Sequence, residues 1–419
     1  MSKTLIRGAT IWDASGAEPF AGDVLVEGER IAGLSRQAGK LSAEGCAVVE
    51  ANGLFLMPGM TEGHGHLSFD NVTATESLIT PPPEEHTLLT ARVAERLLDQ
   101  GFTSVWGASE AKLRLGVAVR NEIEAGNLKG PRIRAGSMEI SVTGAMGDES
   151  RDHDPRPGGP SHIVDGPEEM RKAVRLACRA GCDNIKLDVS GDPFYPGTPA
   201  DSTPMTFDEV KMAVDTAHAY GKKVNAHVRS IAGAQICLKA GVDVLFHCEF
   251  TDEATLDLFE EHRDRVYVAP TVSLFHTLLH EAEPYISRET ALAMGIDKLL
   301  EASRETHNAL RKRGIKHVIG GDYGFAWSPN GTNARDIEFF VKYFGYSPAQ
   351  ALVCATANGG ALMTQGNDEK LGLLREGYLA DMLLVDGDPL TDSACLVNAN
   401  NLKLIMKGGA IHKNTTAND

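Results

Sequence analysis

Several features that assign proteins to specialised classes are scarce in this sequence. Seven cysteines are scattered over 419 residues. An odd number in a long chain is typical of reduced thiols and not of a disulfide framework. No run approaches the roughly 18 apolar residues that a membrane helix needs. The first residues lack the apolar core of a secretory signal. We therefore expect a cytoplasmic protein that does not associate with membranes.

Basic residues are also in deficit. The chain has 41 Lys and Arg against 57 Asp and Glu, a formal net charge of -16. Nucleic acids and anionic membranes are usually bound by a basic surface, so neither is expected as a partner. The length exceeds the usual limit of one hydrophobic core, about 250–300 residues, and predicts one large domain with a smaller one.

The two ends of the chain share one texture, in which short apolar runs are separated by turns. Such runs are typical of β-strands. Near the start they cover 4–6, 9–12, 23–26 and 30–33, and near the end 380–385, 402–406 and 410–411. Two similar ends around a different middle predict a small β-sandwich built from residues 1–55 and 368–419.

Residues 56–367 alternate between apolar runs and amphipathic segments. The predicted strands are 54–60, 103–108, 132–137, 184–189, 223–228, 244–248, 266–272 and 317–321. Predicted helices include 85–100, 167–180, 207–220, 231–240 and 291–313, and several end at a glycine, as helix C-caps do. This alternation matches a (β/α)8 barrel of the TIM type. A doubly wound sheet is disfavoured because no Gly-x-Gly-x-x-Gly turn follows the first strand.

Titratable residues recur where the predicted strands end, which is where a barrel carries its functional groups. The set comprises His64 and His66 after strand 1, Lys186 on strand 4, His227 and His247 on strands 5 and 6, and Asp322 after strand 8. We expect these six side chains to converge on one mouth. Packing alone explains such a set poorly.

The segment Gly63-His64-Gly65-His66 favours a metal site. Residues two apart on an extended strand point to the same side, so one metal can be held by both imidazoles, with Asp322 as a carboxylate ligand. The two glycines are expected to leave space around the rings. His227 and His247 would hold a second metal, although a lone strand histidine is more often a hydrogen-bonded core residue.

Lys186 lies between the apolar residues Ile185 and Leu187. A buried, unpaired ammonium costs several kcal/mol. Burial disfavours the charged form and leaves a nucleophilic amine, which could add carbon dioxide and form a carbamate that bridges two cations. The alternative is an ion pair with Asp188, which shares its strand face. Spacing alone favours the ion pair, and the nearby histidines favour the carbamate.

The ordered set of six residues resembles the amidohydrolase superfamily. The entry segment Leu56-Met57-Pro58-Gly59-Met60 and the closing segment 371–382 extend the resemblance over nearly the whole chain. Within the superfamily the chain is most similar to the imidazolonepropionase-related branch, which includes Xaa-Pro and Xaa-Arg/Lys dipeptidase-like enzymes and ochratoxin-type amidases. The segments 321–325 and 330–332 point more weakly toward the ochratoxin amidases.

The resemblance implies a binuclear amidohydrolase. Two divalent ions, commonly zinc, would be bridged by N6-carboxylated Lys186 and by a hydroxide that attacks an amide carbonyl. Asp322 would pass the proton from the water to the leaving nitrogen. The implied substrate is a dipeptide, an N-acyl amino acid or an ochratoxin-type aromatic amide, and the implied assembly is a homo-oligomer.

Residues that contact substrate are less well defined. Relatives often carry Thr-Gly-Gly-His-Gly-Asp after strand 3, whereas Met146 stands here in place of the histidine. Arg229 could pair with a substrate carboxylate, or could equally be a surface arginine. Tyr323, Phe325 and Trp327 could form an apolar wall, or could pack the loop.

Two other functions stay open. A deaminase or cyclic-amide hydrolase could share this fold, but such deaminases usually lack the strand 4 lysine and use a glutamate after strand 5. Lys186 and the absence of an acid in 228–234 argue against that function. A barrel scaffold without catalysis is the other alternative, and the retention of all six residues argues against it.

Overall fold

The fold is that of a computed structural model, which describes residues 2–151, 153, 158–195 and 197–416. The strands are β1 (Lys3–Ile11), β2 (Phe20–Glu27), β3 (Arg30–Ser35), β4 (Ala47–Glu50), β5 (Phe55–Pro58), β6 (Met60–Gly65), β7 (Phe102–Gly107), β8 (Arg132–Arg134), β9 (Gly136–Ser141), β10 (His162–Ile163), β11 (Asn184–Asp188), β12 (Lys223–Val228), β13 (Val244–His247), β14 (Tyr267–Ala269), β15 (Lys316–His317), β16 (Met382–Val385), β17 (Leu402–Lys407) and β18 (Ala410–Asn414).

The helices are α1 (Glu76–Ile79), α2 (Pro83–Asp99), α3 (Leu115–Glu124), α4 (Gly166–Ala180), α5 (Phe207–Ala219), α6 (Ile231–Ala240), α7 (Glu253–Glu261), α8 (Val272–His280), α9 (Arg288–Ala293), α10 (Ile296–Lys312), α11 (Arg335–Phe344), α12 (Pro348–Val353) and α13 (Gly359–Met363), with a π-helical turn at Cys354–Asn358. Within the described ranges no helix has the length and apolar character that a membrane crossing requires.

The ends of the chain meet in one mixed sheet, and the sandwich expected from their common texture stays a prediction. Its strand order is β18-β17-β16-β5-β1-β2-β3, with β4 paired to β1. Along β16 the side chains alternate: Met382 and Leu384 join a core on one face, whereas Leu383 and Val385 join the main core of the molecule. Period-2 burial on both faces therefore packs this sheet onto the rest of the chain.

The predicted first barrel strand, 54–60, is wrong in position. Phe55–Pro58 pairs with β1 and β16 in the mixed sheet, and the first strand of the parallel set is β6, Met60–Gly65. Gly59 separates the two, and its N–H donates to the carbonyl of Asp381. Both strands are fully buried, and a continuous apolar run does not reveal which sheet each half joins.

The middle of the chain forms parallel strands connected by helices. One sheet has the order β10-β9-β11-β12-β13-β14-β15 and a second the order β6-β7-β8, with parallel pairing throughout. Only Ala135 separates β8 from β9. Beyond β15, the Gly63 N–H donates to the Ile319 carbonyl at 2.9 Å. The carboxyl ends of both sets of strands thus lie together.

Helix positions agree with the predictions except in one region. The predicted C-cap residues Gly181 and Gly241 have φ of 95° and 101°, in the left-handed region that favours glycine. The single helix predicted over 291–313 is wrong, because α9 and α10 are separated at Gly295, which has φ of 75°. An amphipathic pattern that continues across the break conceals it.

Candidate metal centre

The structure brings together the six predicted site residues. His64 lies on β6 and His66 just after it, Lys186 on β11, His227 on β12, His247 at the end of β13 and Asp322 beyond β15. All six line one cavity of about 450 Å³. Parallel strands present their carboxyl ends at one edge, so residues far apart in sequence meet there.

Distances define a compact group around Asp322. Its Oδ1 lies 3.0 Å from His66 Nε2 and 3.8 Å from His64 Nε2. One donor atom each from His64, His247 and Asp322 lies within 4.8 Å of the others. The rings of His227 and His247 have centroids 4.4 Å apart. His247 therefore lies close to His64 and Asp322 as well as to His227.

Hydrogen bonds show that these histidines suit a metal. His66 Nδ1 lies 3.2 Å from the Ser109 carbonyl oxygen, and His227 Nε2 lies 3.0 Å from that of Gly191. Because a carbonyl only accepts, each of these nitrogens carries a proton, and the other ring nitrogen is the one that could bind a metal ion. Metal-binding histidines are commonly held in this way. Within the described residues, the buried Nδ1 of His64 has no hydrogen-bond partner.

Charge states at the site also fit a metal. Burial lowers the pKa of His64 and His247 well below the usual value, and lowers that of His227 to about 3. Burial alone would raise the pKa of Asp322, but His64 and His66 hold it below its usual range. Neutral imidazoles beside an ionised carboxylate are the forms that bind divalent cations.

The backbone is strained at two of the six residues. His247 has φ of 72° and Asp322 has φ of 59°, in a region that residues other than glycine rarely adopt. Such conformations persist where surrounding contacts hold them, and they cluster at functional sites. One such contact joins His247 Nδ1 and Thr271 Oγ1 at 2.7 Å.

The loop after β15 is tied to β6 by buried polar groups that the sequence did not single out. Glu62 accepts the His64 N–H at 2.9 Å and the Asn333 side-chain amide at 2.7 Å. Burial, with Asp336 nearby, raises the pKa of Glu62 to about 8. The Asn330 amide donates to the Phe69 carbonyl at 2.9 Å. These bonds hold the loop that carries Asp322 against the histidine strand.

The glycines beside the histidines have a different role from the one expected. A Cβ on Gly63 would lie 2.6 Å from the Ile319 carbonyl oxygen, and a Cβ on Gly65 would lie 2.4 Å from Val105 Cγ1. The missing side chains of Gly63 and Gly65 therefore allow β6 to pack closely against neighbouring segments. The expectation that these glycines leave space around the imidazole rings is wrong.

Lys186 is fully buried, and its nearest acid is one that the sequence analysis missed. Its Nζ lies 3.8 Å from Glu139 Oε1, and the two residues are directly paired across β11 and β9. Asp188, the partner in the ion-pair alternative, accepts a hydrogen bond from Ser161 at 3.4 Å. Burial, with Glu139 nearby, raises the pKa of Asp188 well above its usual value. The sequence signal that could have identified Glu139 is its position as an acid inside the predicted strand region after residue 135.

Arg229 does not line the cavity among the described residues. Its guanidinium donates to Asp192 Oδ2 at 2.9 and 3.0 Å and to Glu249 Oε1 at 2.7 Å. The surface alternative is wrong because Arg229 is 1% exposed. Two buried carboxylates already occupy the donors that were expected to bind a substrate carboxylate. Asp192 and Glu249 follow β11 and β13, so their positions at strand ends were a usable signal.

Apolar side chains form a wall of the same cavity that the six polar residues line. Phe325 and Trp327 line it with rings stacked 5.3 Å apart, and Met146 lines it as well. Tyr323 is buried, its hydroxyl donates to Asp336 at 3.2 Å, and it is not among the described lining residues. Other apolar residues of this wall are Phe69, Val72, Leu78, Phe194 and Leu274.

Parallel strands with a polar cluster at their carboxyl ends are typical of enzymes, and comparison with known proteins assigns the family. The chain belongs to the Amidohydrolase family, whose model matches residues 55–411. It is a hydrolase acting on amide bonds. The resemblance inferred from the six residues is confirmed.

Relatives with determined activities or structures are similar over most of the chain. Ochratoxinase from Aspergillus niger is 29% identical over 377 residues, which cover 85% of this chain and 75% of that protein. The crystal structure of that ochratoxinase aligns with a TM-score of 0.85 and 25% identity, covering 99% and 96% of the chains. A Xaa-Pro dipeptidase with bound methionine aligns with a TM-score of 0.86 and 25% identity, covering 98% and 100%.

A more distant relative is imidazolonepropionase from Anaeromyxobacter dehalogenans. It is 23% identical over 426 residues, covering 93% of this chain and 89% of that protein. Proteins of the three kinds expected from the sequence are thus all found among the relatives.

Proposed function

We propose that this protein is a binuclear metal-dependent amidohydrolase that cleaves an amide bond in a small substrate with a large apolar group. The observation that carries the proposal is the single cavity that joins the six polar residues to an apolar wall. A closed (β/α)8 barrel is part of the proposal. It is supported by the single residue, Ala135, that separates β8 of one sheet from β9 of the other, and by the hydrogen bond from Gly63 to Ile319.

The proposed ligand sets combine the sequence pattern with the shared cavity, in which Asp322 Oδ1 lies 3.0 Å from His66 Nε2 and 3.8 Å from His64 Nε2. His64, His66 and Asp322 would hold one divalent ion, and His227 and His247 the second, with Lys186 as a carbamate between them. Zinc suits this set because it prefers imidazole and carboxylate ligands. Bound ions of this kind lower the pKa of a water molecule and polarise a carbonyl oxygen.

Asp322 is the proposed proton carrier. Its carboxylate is ionised and lies between the His64 and His66 rings, so it can accept a proton from a water molecule in the cavity. The same oxygen can then deliver the proton to the leaving nitrogen, as a general base followed by a general acid. Because Asp322 is held in a strained backbone position by the loop after β15, little reorganisation accompanies the transfer.

The apolar wall favours an aromatic amide over the smaller alternatives. Phe325 and Trp327 offer flat surfaces to a ring, and Met146 replaces an imidazole at the cavity edge. Burial of an aromatic side chain contributes a large part of the binding energy of such a substrate. Among dipeptides, N-acyl amino acids and ochratoxin A, the substrates with an aromatic group should be cleaved fastest.

The bridging role of Lys186 is tested by Lys186→Ala. We expect the zinc content to fall from two ions per chain to one or none. The rate of hydrolysis should fall by at least about 100-fold, which exceeds the usual effect of substituting a group that only orients a metal ligand. Short carboxylic acids should partly restore both. Metal analysis and amide hydrolysis are measured together, with Lys172→Ala on the exposed face of α4 as the control.

Two outcomes contradict the proposal. A Lys186→Ala protein that keeps both ions and a near-normal rate of hydrolysis would contradict the bridging role of Lys186. A wild-type protein that retains no divalent ion after metal loading would remove metal-dependent hydrolysis itself and favour the scaffold alternative.

A further inference from the structure

A chain of buried hydrogen bonds leads from the backbone of His247 away from the cavity. His307 on α10 has its Nε2 2.7 Å from the His247 carbonyl oxygen. Its Nδ1 lies 3.1 Å from Nε2 of His317 on β15, and Nδ1 of His317 lies 2.8 Å from the Tyr346 hydroxyl. Both histidines are fully buried.

The His247 carbonyl at one end determines which atoms donate and which accept along this chain of hydrogen bonds. A carbonyl oxygen only accepts, so His307 Nε2 carries a proton. The contact between the two rings needs one donor and one acceptor. All contacts are satisfied when His307 Nδ1 accepts from His317 Nε2 and His317 Nδ1 accepts from the Tyr346 hydroxyl. Each imidazole nitrogen in the chain is therefore satisfied by one arrangement of protons.

The hydrogen-bond chain ends at His247, where the backbone is strained. His247 and the next residue, Cys248, have φ of 72° and 60°. Two consecutive residues other than glycine in this region need external contacts to hold them. The bond from His307 satisfies the carbonyl between them, and without it that buried oxygen would lose its donor. The backbone at this point sets the direction of the His247 side chain.

We propose that His307, backed by His317 and Tyr346, is a positioning residue for the metal centre: its hydrogen bond to the His247 carbonyl fixes the backbone that aims the His247 imidazole at the ion. The inference rests on the proposed function, because it concerns a proposed ligand. Groups that orient metal ligands typically change metal affinity about 10–100-fold when they are substituted. His307 touches neither the substrate cavity nor any reacting atom among the described residues.

The experiment compares zinc affinity in full-length variants by competition with a chelator. We expect His307→Phe to weaken the binding of at least one zinc ion about 10–100-fold. His307→Gln keeps an N–H donor near the position of Nε2 and should stay close to wild type. Leu310→Ala removes another fully buried side chain of α10 without touching the chain of bonds, and should lower thermal stability with little effect on zinc affinity.

The outcomes separate the two proposals. Wild-type affinity in His307→Phe, or equal weakening in Leu310→Ala, would overturn the positioning role while metal binding by the wild type stands. Failure of the wild type to bind zinc would overturn the proposed function and this inference with it. If His307→Phe does not fold, His307→Leu gives the same comparison with a smaller side chain.

Discussion

At the scale of single residues, burial controls the charge of groups next to the site. Glu110 follows β7 and is 2% exposed. Its Oε2 accepts the Ser68 N–H at 3.0 Å, and its Oε1 has no hydrogen-bond partner within the described ranges. Burial raises the pKa of Glu110 from 4.5 to about 7, with only partial compensation from Ser68 and His66. The protonated carboxyl is thus the form that this position prefers.

Glu110→Gln should make stability less dependent on pH. Between pH 4.5 and about 7 the folded chain keeps a proton that the unfolded chain has lost, so the wild type loses stability as pH rises through this window. The loss amounts to at most about 3 kcal/mol. The variant should therefore exceed the wild type in free energy of unfolding at pH 8 but not at pH 4, measured by urea denaturation.

Glu95→Gln, on the exposed side of α2, is the matched control and should leave the pH profile unchanged. A Glu110→Gln profile that parallels the wild type between pH 4.5 and 8 would contradict the assigned role of burial.

At the scale of secondary-structure elements, the position of β6 depends on close contact with the chain beyond β15. A Cβ on Gly63 would lie 2.6 Å from the Ile319 carbonyl oxygen and 2.7 Å from Val318 Cγ2. Backbone contacts this short can be relieved only by moving the strands apart. Since His64 follows on β6 and Asp322 follows Ile319, their separation is set by this packing.

Gly63→Ala should therefore affect both stability and the site. We expect the free energy of unfolding to fall by about 1–3 kcal/mol, as for other overpacked positions. Zinc affinity should fall as well, because His64 and Asp322 move apart. Urea denaturation and chelator competition measure the two effects. Gly197→Ala is the control, since a Cβ there meets no atom within 4 Å; equal effects from both variants would refute the explanation.

At the scale of the whole molecule, a partly buried ion pair connects the mixed sheet to the parallel strands. Asp381, just before β16, accepts two hydrogen bonds of 3.1 Å from Arg132 on β8, and also the Gly408 N–H at 2.7 Å. The Asp381 side chain is 1% exposed and that of Arg132 is 30% exposed. Burial lowers the pKa of Arg132, but attraction to Asp381 and the hydrogen bonds that Arg132 donates to it outweigh burial and raise that pKa.

Asp381→Ala should destabilise the whole chain. The substitution leaves the Arg132 guanidinium without its carboxylate partner, which should lower the free energy of unfolding by about 3 kcal/mol. This value is the lower end of the range for buried pairs, because Arg132 is partly exposed. Thermal unfolding should stay a single transition, because Leu383 and Val385 share the main core. Lys211→Ala breaks the exposed pair with Asp215 and should change stability by less than about 0.5 kcal/mol. Separate transitions in Asp381→Ala would show that the two parts unfold independently.

The predictions from sequence succeeded where the signal was local. The limits of β12 and α6 agree with the predicted 223–228 and 231–240. The six predicted site residues line one cavity because each lies on, or just beyond, an apolar strand run. The predicted strand 54–60 failed because β5 and β6 are both buried and differ only in the sheet they join. The partner of Lys186 was missed because Glu139 is 47 positions away in the chain.

The sequence by itself determined the alternation of strands and helices and the residue types at the strand ends, because side-chain periodicity and turn residues act within a few positions. Tertiary structure alone decided that Glu139 pairs with Lys186, that Arg229 is enclosed by two carboxylates and that His247 lies with His64 and Asp322. These contacts depend on how strands are ordered and registered around the site. They follow from the packing of distant segments, which no local pattern in the chain encodes.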